Sequence, residues 1–148
     1  MRKLSTVLSG VAGVYFVAGE LTRQGYVASI TSRNTKGIDI LVSNENATKT
    51  VGVQVKTNQG NIVSWLLNKT AEDYFADSLF YIFVNLNNGA EPNYFIVPSK
   101  TVANHVKDGH RKWLSTPGRK AQKHNDTIMR QFKDENKEYV NRWELLGL

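Results

Sequence analysis

The hydrophobic pattern predicts a mixed α/β (α+β) fold, a central sheet of about five strands flanked by helices. Three observations lead there. Apolar residues recur at helical spacing over residues 6–24. Residues 37–42 and 51–56 each alternate with period two on either side of a polar loop, as the arms of a half-buried hairpin do. Residues 79–86, Leu-Phe-Tyr-Ile-Phe-Val-Asn-Leu, are almost unbroken apolar sequence, the composition of a strand covered on both faces.

The first helix is expected over residues 6–24, with Val7, Val11, Val14, Ala18 and Leu21 as its core stripe and Ala12, Tyr15 and Phe16 broadening it. Gly25 suits the left-handed residue that ends a helix. The basic start Met1-Arg2-Lys3 and the apolar stretch after it have the outline of a secretory leader. Ser5, Thr6, Ser9, Gly10 and Gly13 dilute that stretch, and the helical pattern runs on to Gln24, so the segment reads as a helix of the mature domain. It is too short and too polar to span a bilayer. A strand over residues 26–31 and a turn over residues 32–37 lead into the hairpin. Beyond Lys56 come a loop, a strand over residues 62–67, and a short helix through Asp77 opened by the capping-box spacing of Thr70 and Asp73. The apolar strand follows, then a turn at Asn87-Asn88-Gly89 and a strand over residues 94–97 ending at Pro98. Ser99 is placed to cap a helix reaching about Trp113, and Thr116-Pro117-Gly118 breaks it. A basic loop and a last helical segment near residues 137–146 complete the chain.

At 148 residues the chain is read as one domain, residues 1–148, with a core over about residues 8–97 and a helical, basic extension over residues 98–148. There is no cysteine, which excludes disulfides and thiolate metal sites and suits the cytoplasm. Nineteen Lys and Arg against thirteen Asp and Glu give a formal net charge of +6, a balance that favours a polyanionic partner.

The hairpin carries the chemistry. Pairing its arms so that the apolar faces coincide sets Ile38 opposite Val55, Ile40 opposite Val53 and Val42 opposite Val51. A slip of one residue would turn one apolar set to the wrong side, so burial selects this register. On the other face Asp39 then opposes Gln54, and Gly37 opposes Lys56. Directly opposed side chains lie about 5 Å apart, so an acid, an amide and an ammonium converge, as a divalent-metal site for phosphodiester chemistry requires. The same residues also suit a cross-strand ion pair on a solvated face, worth about 0–1 kcal/mol. Glu20 follows an almost uncharged stretch of the first helix. It offers either a second acid for the site or the start of an exposed last turn with Arg23 and Gln24.

Glu20 on the first helix, Gly37-Ile38-Asp39-Ile40-Leu41 on one strand and Val53-Gln54-Val55-Lys56 on the next together resemble the PD-(D/E)XK nuclease superfamily, and within it the Mrr-like restriction endonucleases. The resemblance spans about residues 8–97 and implies a restriction-endonuclease-like αβββαβ core. It implies hydrolysis of DNA phosphodiesters with Mg²⁺. Asp39, the amide oxygen of Gln54 and the backbone carbonyl of Val55 would be the metal ligands, with Glu20 binding directly or through water and Lys56 steadying the attacking water. Gln54 stands where Glu is usual, which removes one anion; weaker Mg²⁺ binding and a shift toward Mn²⁺ are expected. Pairing of two subunits into a homodimer is a further implication.

DNA contacts are expected from Arg33, Asn34, Thr35 and Lys36 ahead of Asp39, and from Thr57, Asn58 and Gln59 after Lys56. Lys107, Arg111, Lys112, Arg119, Lys120 and Lys123 form a basic set able to clamp flanking phosphates. Trp65, Trp113 and Trp143 suit core or interface positions. His105, His110 and His124 lack metal-ligand spacing, and no phosphate loop, nucleophile elbow or dinucleotide fingerprint occurs. The leading expectation is a metal-dependent endonuclease-like protein acting on DNA, with no membrane association. Its rival is a catalytically inactive DNA-binding or protein-interaction module on the same fold.

Overall fold

The computed structural model describes residues 2–32 and 35–148. Helix α1 (Thr6–Arg23) is followed by β1 (Val27–Ile30), β2 (Ile40–Ser43), β3 (Thr50–Asn58) and β4 (Ser64–Asn68). A 3-10 turn at Lys69–Glu72 leads to β5 (Leu79–Asn85), β6 (Asn93–Pro98), helix α2 (Ser99–Ser115), β7 (Met129–Lys133) and a last 3-10 turn at Trp143–Leu146. Five strands form one mixed sheet in the order β1-β2-β3-β5-β6. β3 and β5 run parallel, and the other neighbours are antiparallel. β4 and β7 form a separate two-stranded ribbon.

β5 is buried at every position, because its two side-chain sets feed two different cores. Phe80, Ile82 and Val84 face α1, where they join Val17, Leu21, Ile40, Val42, Val51, Val53 and Val55. Tyr81 and Phe83 face the opposite layer of Trp65, Leu67, Val102, Val106 and Phe132 from β4, α2 and β7. The expected helices therefore cover the sheet, but a β-ribbon shares one face with α2. α1 ends as expected, with Gly25 at φ 92°, but its buried stripe is Ser9, Gly13, Val17, Ala18 and Leu21. Of the expected stripe only Ala18 and Leu21 are buried: Val11 and Val14 are half-buried, and Val7, Tyr15 and Phe16 are exposed. The helix lies close on β3: a Cβ on Gly13 would come within 1.9 Å of Thr57 Oγ1.

Three local expectations are corrected. The short helix opened by Thr70 is a 3-10 turn, whose N-terminus is capped by Asn68 accepting from the Thr70 N–H at 3.2 Å. Ser99 does not cap α2; it is its first residue, fully buried, and its hydroxyl clasps the backbone N–H and C=O of Ala76 at 3.1 and 3.0 Å. The last helical segment is reduced to the 3-10 turn at Trp143–Leu146. Lys137 and Asn141 adopt left-handed φ of 54°, which no helix interior accommodates, and the chain between them pairs with β6 through Phe95 and Val140. That segment is pinned by Asp134, buried, whose carboxylate accepts from the N–H groups of Glu138 and Tyr139 at 2.9 and 3.0 Å.

β7 escaped the sequence pattern because a charged residue holds its inner face. Arg130 is buried and donates to Glu72 Oε1 at 2.5 Å and to the Thr127 and Met129 carbonyls at 2.7 and 2.9 Å. Breaking a buried pair strands the remaining charge, so Glu72→Ala is expected to destabilise the protein by about 3–5 kcal/mol. Gly13→Ala, which overpacks the α1–β3 contact, should cost about 1–3 kcal/mol. Denaturant midpoints for both variants check these values.

Candidate active site

β3 outruns its antiparallel partner. The β2–β3 ladder joins Ile40–Ser43 to residues 50–53 in the register that burial selects, Ile40 with Val53 and Val42 with Val51. β3 then continues to Asn58 along β5. Asp39 occupies the edge of β3 where the ladder stops. Its N–H donates to the Val53 carbonyl at 2.8 Å, and its own carbonyl accepts from the Thr31 N–H at 3.0 Å. Its Oδ2 accepts from the Val55 N–H at 2.7 Å. Ile40 already partners Val53, so two successive residues meet one on the facing strand. That is the arrangement of a β-bulge, which re-aims a side chain. The simple opposition of Ile38 to Val55, of Asp39 to Gln54 and of Gly37 to Lys56 is thereby replaced: the Ile38 side chain lies over Gly52, and a carboxylate takes the place of a strand carbonyl on Val55.

The predicted residues consequently divide across the strand. Asp39 and Val55 line a groove of about 650 Å³ whose far wall is α1, through Thr6, Val7, Gly10, Val11 and Val14. Gln54 and Lys56 line a cavity of about 420 Å³ on the other side. Lys36, Gly37, Asn68, Asp73 and Tyr74 also line that cavity, together with the buried side chains of Leu67, Ala71 and Tyr81. Gly37 is required there. It sits at φ 76°, and a Cβ would lie 2.6 Å from the Tyr74 ring and hydroxyl. Burial pushes the Tyr81 phenol up to about 12, with Tyr74 adding to the effect.

Glu20 joins neither space. Arg23 binds its carboxylate through Nε and Nη2 at 2.9 and 2.7 Å, and Gln24 adds a bond of 2.8 Å. The Arg23 hydrogen bond holds the Glu20 carboxyl below the usual carboxylate range, against the opposing effect of burial. Glu20 lines a different groove with Phe16 and Tyr94. The reason is its place on the helix: at 1.5 Å per residue it lies about 9 Å along the axis from Val14. The exposed-turn reading with Arg23 and Gln24 is the one the geometry matches.

Among the described residues, no three acidic or histidine side chains gather as a metal cage. Mg²⁺ is nevertheless commonly held by one or two carboxylates, with waters and substrate phosphates completing its shell. Asp39 and the Val55 carbonyl meet that sparse requirement, because an extended residue sends its N–H and C=O to the same edge. Val55 therefore presents its carbonyl on the side where it holds Asp39.

The proposed DNA contacts separate in the same way. Arg33 and Asn34 lie outside the described residues. Lys36 reaches the cavity that holds Lys56. Thr57 is turned inward, its Oγ1 buried under Gly13. Asn58 is spent on its own loop, donating to the Ile62 and Ser64 carbonyls at 3.0 and 2.7 Å. Neither is free to grip a phosphate. Arg111, Lys112, Arg119 and Lys120 are exposed on α2 and the loop after it. Of the tryptophans, Trp65 is core and Trp143 packs on Tyr94, while Trp113 stacks with His110 and His124 on the surface. Sequence reasoning missed Asn68 and Tyr74. A capping Asn ahead of the Thr70 turn was the available signal for Asn68; Tyr74 had none, since it meets Gly37 only through the fold.

The chain is similar in structure to the Hjc Holliday junction resolvase of the archaeal hyperthermophile Archaeoglobus fulgidus, with a TM-score of 0.54 and 9% identity over 93% of this chain and 95% of that one. It is similar also to the bacterial homing endonuclease I-Ssp6803I, with a TM-score of 0.57 and 14% identity over 97% of this chain and 92% of that one. No protein-family model matches the sequence, and no curated protein matches it. No helix among the described residues is long and apolar enough to cross a membrane. The fold is that of the restriction-endonuclease-like nucleases.

A phenol raised by burial stabilises the fold fully below its unfolded value near pH 10 and loses that contribution as the pH climbs toward 12. Denaturant midpoints should therefore fall between about pH 9 and pH 11.5. The fall should be smaller in Tyr81→Phe, measured by circular dichroism.

Proposed function

We propose that this chain is a DNA-processing protein of the nuclease type, an Mrr-like PD-(D/E)XK domain in a Gln-x-Lys form. It hydrolyses DNA phosphodiester bonds with a divalent cation, Mg²⁺ or Mn²⁺. The supporting observation is the Asp39 carboxylate seated on the Val55 N–H at the free edge of β3, with Lys56 one residue further along that strand. Asp39 and the Val55 carbonyl would hold the cation, which supplies Lewis acidity and charge neutralisation at the scissile phosphate. Lys56 lines the cavity on the other side of β3 from the Asp39 groove, so its ammonium would offset charge on the phosphate oxygens from across the strand edge, and Lys36 would grip the backbone beside it. The Gln54 amide orients water or phosphate in the Lys56 cavity. Arg111, Lys112, Arg119 and Lys120 contribute to longer-range attraction of the duplex. Glu20 has no part in this reading. The chain acts as a single domain in the cytoplasm, and a homodimer would present two such sites to one duplex.

A second reading, a DNA-binding module without catalysis, is favoured by the sparse donor set: a lone carboxylate, one oxygen of which already serves Val55. One pair of measurements separates the two. Fluorescence anisotropy should find DNA binding at low salt that weakens steeply as salt rises. Supercoiled, linear and single-stranded DNA incubated with Mg²⁺ or Mn²⁺ should be cut by the parent protein and by Glu20→Gln alike. Asp39→Ala should abolish cutting while keeping binding, and Lys56→Ala should slow it by about 10²–10³. Binding without cutting establishes the second reading, and no binding at low salt removes both.

A further inference from the structure

We infer that the cavity beside Lys56 takes an unpaired nucleotide, so that the preferred DNA carries a frayed end or flap and not an uninterrupted duplex. This rests on the DNA reading above and names the form of its substrate.

The cavity is more than a phosphate grip. Two ammonium groups, Lys36 and Lys56, would suffice to hold a backbone phosphate. Here they line a recess of about 420 Å³ together with the buried apolar side chains of Leu67 and Ala71. That volume lies in the range of small-molecule sites, about 300–1,000 Å³. A stacked duplex offers such a recess only its phosphates and sugars; a base reaches it only after leaving the stack. The remaining wall has the chemistry of a base site. Gln54 is an amide with both donor and acceptor groups that can read a base edge, and Asn68, whose Oδ1 accepts from the Thr70 N–H, adds its NH₂ as a donor. Tyr74 supplies an aromatic ring, the sequence-tolerant partner of an unstacked base.

The ring is held in advance. Its phenol end abuts the backbone of Gly37, where a Cβ would come within 2.6 Å, so stacking on Tyr74 needs no prior ordering of a loose side chain. The one carboxylate among the residues lining the cavity, Asp73, stands at the rim and is turned toward α2, with Oδ1 3.9 Å from Lys107 Nζ. Its charge is shared with that lysine and does not simply oppose an entering phosphate. Phosphate end, base face and base edge therefore each have a partner in one half-open recess.

The test is an anisotropy titration without divalent cation, comparing a blunt duplex with the same duplex bearing a short flap that contains 2-aminopurine. The expected result is about tenfold tighter binding of the flapped DNA, with a change in 2-aminopurine emission on binding. Tyr74→Phe should keep both. Tyr74→Ala should erase both and leave blunt-duplex affinity unchanged. Tyr74→Leu, which keeps apolar volume without a stacking ring, takes its place if the alanine variant does not fold. Equal affinity for the two DNAs, or a preference that survives loss of the ring in a folded variant, overturns this inference alone. No binding of either DNA at low salt overturns it together with the DNA reading.

Discussion

The hydrogen bond from the Val55 N–H to the Asp39 carboxylate is the constraint on which the site depends. β3 is drawn into the centre of the sheet by valines that must be buried, and it is held along its other edge by β5 over its whole later half. Its β2-side edge is then left with backbone donors that demand partners, since a buried N–H without one is costly. A carboxylate satisfies that demand where a further strand residue would otherwise do so. The acid is thus positioned by the accounting of backbone hydrogen bonds, and its charge is delivered to the end of the sheet where the strands part.

The period of a strand explains why this arrangement has two sides. Successive residues of β3 alternate between the α1 layer and the β4–α2 layer, so Val55 and the Gln54/Lys56 pair belong to different cores. Asp39, carried by an irregular residue at the head of β2, sits at the edge between them. Gly37 completes the arrangement. Its backbone passes so close to Tyr74 that a side chain is excluded, which couples the loop leading into Asp39 to the turn after β4. Lys36, one residue earlier, enters the cavity of Lys56 by the same path.

The C-terminal third is part of the fold and not an appendage to it. Val102, Val106 and Phe132 share a core with Tyr81 and Phe83, while Leu146 reaches the core on the α1 side. Two buried charges organise this part of the chain: Arg130 ties β7 to the turn before β5, and Asp134 orders the segment that pairs with the edge of β6. Both are costly to bury alone and acceptable because hydrogen bonds hold them, Arg130 through Nε and Nη1 and Asp134 through both carboxylate oxygens. Covering the β6 edge also removes a row of unpaired backbone groups from solvent.

Local periodicity was enough to read the extent of α1, the hairpin register from Ile40 onward, the double-sided burial of β5 and the order of the elements along the chain as far as α2, because each follows from where apolar residues recur along a single segment. The pairing of Asp39 with the strand carrying Gln54 and Lys56 was legible for the same reason. The same pattern misplaced the buried stripe of α1, which depends on how the helix lies on β3. Periodicity has no means of announcing a bulge, so the sequence alone could not say that Asp39 would bond Val55 and leave the face of Gln54. Nor could it remove Glu20, whose distance from the site is a matter of where α1 crosses β3. Thr57 and Tyr74 were decided by contacts between segments far apart in the chain, a helix glycine and a left-handed turn, and Asn58 by the carbonyls of the loop that follows it. Those are properties of packing in three dimensions, and only the tertiary structure contains them.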